Sequence, residues 1–108
     1  MKYLCLAYGD AKDWNVLTKS EQDALLAQDE VLRKRGDLVA AVEPTGTVVR
    51  AWDGTPATTA GPFALTPLPL AGFAIVEAAD LEEAIELVSK TPCARAKGAV
   101  EVRAIAER

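Results

Sequence analysis

The sequence predicts an α+β fold in which two helices lie on one face of an antiparallel sheet. Three observations point to it. Short apolar runs without internal breakers alternate with two stretches of helical periodicity, in the order strand, helix, strand, hairpin, strand, helix, strand. Both helical stretches open with capping-box spacing, Thr18 to Glu21 and Asp80 to Glu83. Between the two halves, Thr47–Trp52 and Thr55–Thr59 flank Asp53-Gly54, a dipeptide suited to a tight hairpin turn of the type I′ class. Two βαβ halves joined by a central antiparallel pairing make a ferredoxin-like sandwich.

Each element has a local cause. Residues 2–8 form an apolar run with two tyrosines, closed by Gly9-Asp10, and read as the first strand. Residues 10–18 read as a loop. The first helix runs from its Thr18 cap to about Arg35, with Ala24, Leu25, Val31 and Leu32 on one face and Gly36 as its stop. Residues 38–42 give a second strand, ended by Glu43-Pro44. Residues 56–69 hold four of the six prolines, so much of that stretch is loop or edge backbone. Residues 70–77 are a strand. The second helix follows Asp80, with Leu81, Ala84, Ile85 and Val88 as its apolar stripe and Thr91-Pro92 as its end, and residues 100–105 are the last strand.

The 108 residues amount to one domain, 1–108, with an ordinary soluble composition of 50% hydrophobic and 26% charged residues. A net charge of −4 gives no footprint for a nucleic-acid backbone. The basic run Arg33-Lys34-Arg35 falls in a last helical turn, where cations complement the helix dipole. The apolar start, residues 1–8, is too short for a signal-peptide core or a membrane span. There is no histidine, and the two cysteines lack a CxxC spacing, so no Cys/His metal cluster is expected, and no cofactor. Cys5 and Cys93 read as reduced thiols of a cytoplasmic protein, Cys5 buried in its strand.

The strands are apolar on both sides. Tyr3, Cys5 and Ala7 alternate with Leu4, Leu6 and Tyr8, and Phe73 and Ile75 with Ala74 and Val76. Two-sided strands need cover on both faces, and two helices cover only one. A second copy of the same sheet supplies the other most economically, which predicts a homodimer through the sheet face.

Thr59-Ala60-Gly61-Pro62-Phe63-Ala64, Gly72-Phe73 and the closing Gly98-Ala99-Val100-Glu101-Val102-Arg103 stand in an ordered series. With Tyr3-Leu4, Tyr8-Gly9-Asp10, Glu43-Pro44, Asp53-Gly54 and Asp80–Ala84, that series resembles the YCII-related proteins over nearly the whole chain. The likeness is to the branch named for an Asp-Gly-Pro-Phe motif. The resemblance implies a dimeric α/β barrel of two facing ferredoxin-like sheets. Some such proteins are regarded as enzymes built on a histidine–aspartate pair; others are associated with sigma-factor-like regulators. Here Ala60 stands at the motif aspartate, and the following Ala64–Leu70 is apolar and proline-stiffened where relatives are often polar.

Without histidine, acid–base work falls to Asp, Glu, Tyr, Cys or Lys. Glu101 and Arg103 alternate with Val100 and Val102, so both point to one sheet face, as a polar floor for an anionic or phenolic ligand, as an ion pair at an interface, or simply exposed to solvent. Arg50, alternating with Val48 and Trp52, is placed to join them. A small-molecule ligand is expected between the concave sheet face and residues 60–70, lined by Tyr8, Arg50, Trp52, Phe63, Phe73, Glu101 and Arg103. Trp14 and Trp52 read as dimer contact or pocket wall; Asp10 and Asp13 read as solvated loop acids. No catalytic residue is assigned. The function expected is a small, cofactor-free enzyme or divergent enzyme homologue acting on an aromatic, phenolic or anionic metabolite. The alternative is a catalytically silent ligand-binding or regulatory-partner domain.

Overall fold

In the computed structural model, which describes residues 1–107, the chain runs β1 (Lys2–Tyr8), α1 (Ala11–Asn15), α2 (Lys19–Lys34), β2 (Leu38–Ala41), β3 (Thr47–Arg50), β4 (Ala57–Ala60), β5 (Leu70–Glu77), α3 (Leu81–Val88), α4 (Pro92–Arg95) and β6 (Ala99–Ala104). The last residue of the expected domain, Arg108, lies outside the described residues. Four strands form one sheet in the order β2-β5-β1-β6, every neighbour antiparallel. That order is the ferredoxin-like one, with β1 held centrally between β5 and β6.

Directly opposed residues share a face of the sheet. Cys5 faces Ala74 and Val102, and Tyr3 faces Val76. This side is covered by Leu32 of α2 and by Ala84 and Val88 of α3, and together these residues are the core. On the other side, Leu4 opposes Ile75 and Arg103, and Leu6 opposes Phe73 and Glu101. Among the described residues nine apolar side chains are buried, all but Ala96 in the one cluster on the helix side or at its edge, so the second face is left without cover.

The helices differ from expectation in instructive ways. Neighbours in sequence lie about 100° apart around a helix, so a narrow contact stripe admits one of each adjacent pair. α2 therefore buries Leu32 while Val31 is 49% exposed, and it half-buries Leu25 while Ala24 faces out. α3 likewise buries Ala84 and Val88 and leaves Leu81 and Ile85 exposed. The expected loop at residues 10–18 contains α1. Asp10 caps it, its side chain accepting from the Lys12 N–H at 3.0 Å. Thr91-Pro92 does end α3, but Pro92 also starts α4, where proline suits a position that needs no N–H. The capping box at Thr18 is complete, with Thr18 and Glu21 exchanging bonds. At α3 Asp80 accepts the Glu83 N–H at 2.8 Å, but the Glu83 carboxylate accepts from the Ala79 N–H at 3.1 Å rather than from that of Asp80, so only the forward half of the box forms.

The hairpin is the largest departure. β3 and β4 pair only with each other, as a two-stranded ribbon separate from the main sheet. Six residues, 51–56, connect them instead of a two-residue turn. Asp53 Oδ1 accepts from the Thr55 N–H at 3.0 Å, and Gly54 has φ +88°. Pro56 has no N–H to donate, so the ladder begins at Ala57. The ribbon lengthens the molecule to 50 × 37 × 21 Å, and its radius of gyration is 15.6 Å. A compact chain of this length has a radius of about 13 Å.

Candidate functional site

The main cavity, about 790 Å³, lies between the sheet and the helices, on the covered side. The sheet contributes small residues to its wall (Cys5, Ala7, Gly72, Ala74), and this economy of side-chain volume is what leaves the space open. α2 contributes Leu26, Asp29, Leu32 and Arg33, α1 contributes Trp14, and Thr91, Pro92, Cys93 and Ala96 close one end. The wall is largely apolar with a few polar groups, the usual make-up of a small-molecule pocket.

Close backbone packing sets the α4 end. A Cβ on Gly98 would lie 2.2 Å from the Tyr8 carbonyl oxygen and 2.5 Å from that of Cys93, so only glycine lets the chain leave α4 and enter β6 here. Cys93 Sγ in turn sits 3.2 Å from where a Gly9 side chain would start. Thr91, buried, donates its hydroxyl to the Val88 carbonyl at 2.6 Å. On the α1 side, Gln22 Nε2 donates to the Trp14 carbonyl at 2.9 Å and ties the short helix to α2.

Asp29 is the chemically distinctive group. It is half-buried on the inward face of α2, three residues before Leu32 and four after Leu25. Burial pushes its carboxyl above the ordinary aspartate range; nearby Arg33 opposes that shift and Glu30 adds to it. The Cys93 thiol is also raised, first by burial and then by the charge of Asp29, which places the two groups in electrostatic contact. Arg33 is already engaged, bonded to Glu30 and donating to the Val39 carbonyl at 3.3 Å. Cys5 is 2% exposed and its thiol is pushed up to about 11, by burial first and then by Asp37, so it is an inert packing residue. Among the described residues no group of three or more His, Cys, Asp or Glu is placed to hold a metal ion.

The residues singled out from sequence, Phe73 apart, are distributed over two other places. Tyr8 and Glu101 line a smaller hollow, about 260 Å³, with Thr66, Pro67 and Leu68, where the proline-rich segment meets the open sheet face. Arg103 donates twice to Glu101 Oε2, at 3.0 and 2.8 Å, an exposed pair within the chain. Phe73 belongs to the strand segment that walls the main cavity, but its register with Leu6 puts its side chain on the open face. Arg50 stands over the Phe63 ring at 5.4 Å on the ribbon, and Trp52 is 92% exposed at its tip. Ala60 ends β4 opposite Thr47, and Gly61 follows with φ +103°, its N–H donating to the Gly46 carbonyl at 2.8 Å. The glycine of that motif thus serves a left-handed turn. Asp10 and Trp14, assigned from sequence to solvent and to dimer contact or pocket wall, both line the main cavity. Sequence reasoning missed Asp29 and Cys93. The available signal was an acid inside the apolar stripe of α2, between Leu25 and Leu32.

Fold and cavity together define a small ferredoxin-like α+β protein with room for a ligand between sheet and helices. The chain belongs to the YCII-related domain family, whose sequence profile matches residues 1–108. Among solved structures it is similar to 5-chloro-2-hydroxyhydroquinone dehydrochlorinase from Burkholderia phenoliruptrix AC1100, in complex with 2,5-dihydroxybenzoquinone. The identity is 19% and the TM-score 0.52, over 100% of this chain and 96% of that one. At that identity the likeness is one of fold. No curated protein matches the sequence. Among the described residues no helix is long and apolar enough to cross a membrane.

Proposed function

We propose that this protein is a small, cofactor-free enzyme that binds a ring compound in the helix-side cavity and moves a proton with Asp29. The observation that carries this reading is a carboxyl of raised proton affinity in a mostly apolar, ligand-sized cavity. Such a group takes and returns protons nearer neutrality than an exposed aspartate does. The fold neighbour's substrate and ligand are hydroxylated six-membered rings, and a ring of that size fits within a cavity of about 790 Å³ whose lining includes Trp14, Leu26 and Leu32. We propose further that the protein works as a homodimer, with Leu4, Leu6, Phe73 and Ile75 of the open sheet face covered by a second copy. Their partial exposure and apolar character support this. The two free cysteines fit a reducing, cytoplasmic setting.

The test is turnover of hydroxylated benzenes, 5-chloro-2-hydroxyhydroquinone among them, followed by ultraviolet absorbance. Turnover by the wild type and a loss of about 10²-fold or more in Asp29→Asn is the expected result. Unchanged turnover in that variant removes Asp29 from the chemistry. A second reading, a binding module without catalysis, draws support from the ribbon tip and the segment that follows the ribbon, where Trp52 (92% exposed), Phe63 (77% exposed) and Leu65 (93% exposed) offer apolar side chains to a partner. Binding of the same compounds without turnover selects that reading.

A further inference from the structure

The charge inside the main cavity is net negative. The ionisable groups in its wall, apart from the two thiols, are Asp10, Asp29 and Arg33. The guanidinium of Arg33 is bonded by Glu30, donates to the Val39 carbonyl and partly offsets the charge of Asp29, so it is already engaged by anions and acceptors of the chain itself. Asp10 accepts the Lys12 N–H through Oδ1 alone, which leaves its second oxygen available. Asp29 is desolvated, and no hydrogen bond contributes to its titration. The indole of Trp14 belongs to the same wall.

Resting on the cavity being the binding site, we propose that it selects ring compounds that carry a protonated amine and rejects those that carry a carboxylate. An ammonium entering this space gains Asp29 as counter-charge and an indole wall as a cation–π surface. It also relieves the cost of keeping Asp29 ionised while half-buried. A carboxylate meets two fixed carboxyl groups with no unengaged cation to offset them. The apolar remainder of the wall, from Leu26 and Leu32 to Ala74 and Val100, takes the ring.

Three probes that share a phenol ring isolate the charge: tyramine, 4-ethylphenol and 4-hydroxyphenylacetate. Calorimetric titration of the wild-type protein is expected to give tyramine about tenfold tighter than 4-ethylphenol, which is the scale of one partly screened ion pair. 4-Hydroxyphenylacetate is expected to bind more weakly than 4-ethylphenol. In Asp29→Asn the preference for tyramine over 4-ethylphenol should fall to within about twofold. Equal affinities across the series, or a preference for the acid, overturn the proposal and leave the cavity reading standing. An amine preference that survives Asp29→Asn overturns it as well. Failure of all three probes to bind removes both the proposal and the cavity reading. The wild-type series decides the charge preference by itself, so the outcome does not depend on how the variant folds.

Discussion

Asp29 occupies a helix position that packing alone would give to an aliphatic residue, and its cost can be read from titration. Its carboxyl is raised in the folded chain above the ordinary aspartate value of 3.8. A raised acid binds its proton more tightly folded than unfolded. Its favourable contribution is therefore complete below the unfolded pKa and is lost as pH rises through the folded one. Near neutrality the ionised group is a liability, and Asp29→Leu should melt at a higher temperature than wild type at pH 7, with the gap closing near pH 3. A lower melting temperature at pH 7 would mean that the carboxylate holds the fold together, which contradicts a functional role kept at a cost in stability. Cys5 has the corresponding effect at the alkaline end. Its thiol moves from 9.0 to about 11, so its contribution is present below pH 9 and is lost as pH rises toward 11. The slope it adds is at most about 1.4 kcal/mol per pH unit. Denaturant midpoints measured from pH 8 to 11 should fall less steeply in Cys5→Ala, with the remaining slope owed in part to Cys93. An unchanged slope would show that Cys5 titrates normally. Cys5 was legible in the sequence because strand alternation puts it opposite Leu4 and Leu6. Asp29 was not, because an acid in a helix reads as solvated until the neighbouring elements are placed around it.

At the scale of elements, local chemistry was legible and tertiary contact was not. The caps at Thr18 and Asp80 stand where the spacing put them, because a side chain three residues from its partner needs nothing beyond the helix itself. α1 and α4 escaped because one turn of helix leaves almost no periodicity to read; each is set by a single residue, Asp10 or Pro92. The detachment of the β3–β4 ribbon escaped too, since Asp53-Gly54 predicts that a chain reverses and says nothing of which sheet receives it. Two glycines separate close packing from backbone strain. Gly36 has φ +98° with nothing near its missing Cβ, so Gly36→Ala should cost only the left-handed strain, about 1–2 kcal/mol. Gly98→Ala forces a Cβ into two carbonyl oxygens of β1 and α4 and should cost on the order of 4 kcal/mol or more. Chemical denaturation of the pair checks this. Similar losses at both sites would show that α4 has room to move away from β1.

For the whole molecule, the asymmetry of the sheet is the governing fact. One face has a core and a cavity; the other presents Leu4, Leu6, Phe73 and Ile75 with no covering element, while a ribbon with Trp52 at its tip projects from the body. The two-sided apolarity of β1 and β5 was visible in sequence, and the proposed homodimer follows from it. Light scattering at micromolar concentration should give twice the chain mass of 11.5 kDa. Leu6→Lys should halve that value and keep the far-ultraviolet spectrum, because Leu6 faces away from the core. A wild type that is already monomeric would remove the dimer. The location of the ligand was the part sequence could not place, because it depends on which sheet face the helices take and how little volume Ala7, Gly72 and Ala74 fill beneath them. The most direct measurement is therefore an amide-resolved NMR titration of the wild-type protein with 4-ethylphenol. Shifts should concentrate at Asp29, Thr91, Cys93 and Ala74 around the helix-side cavity. Shifts confined to Tyr8, Glu101 and Arg103 would put the ligand on the open face and contradict that placement.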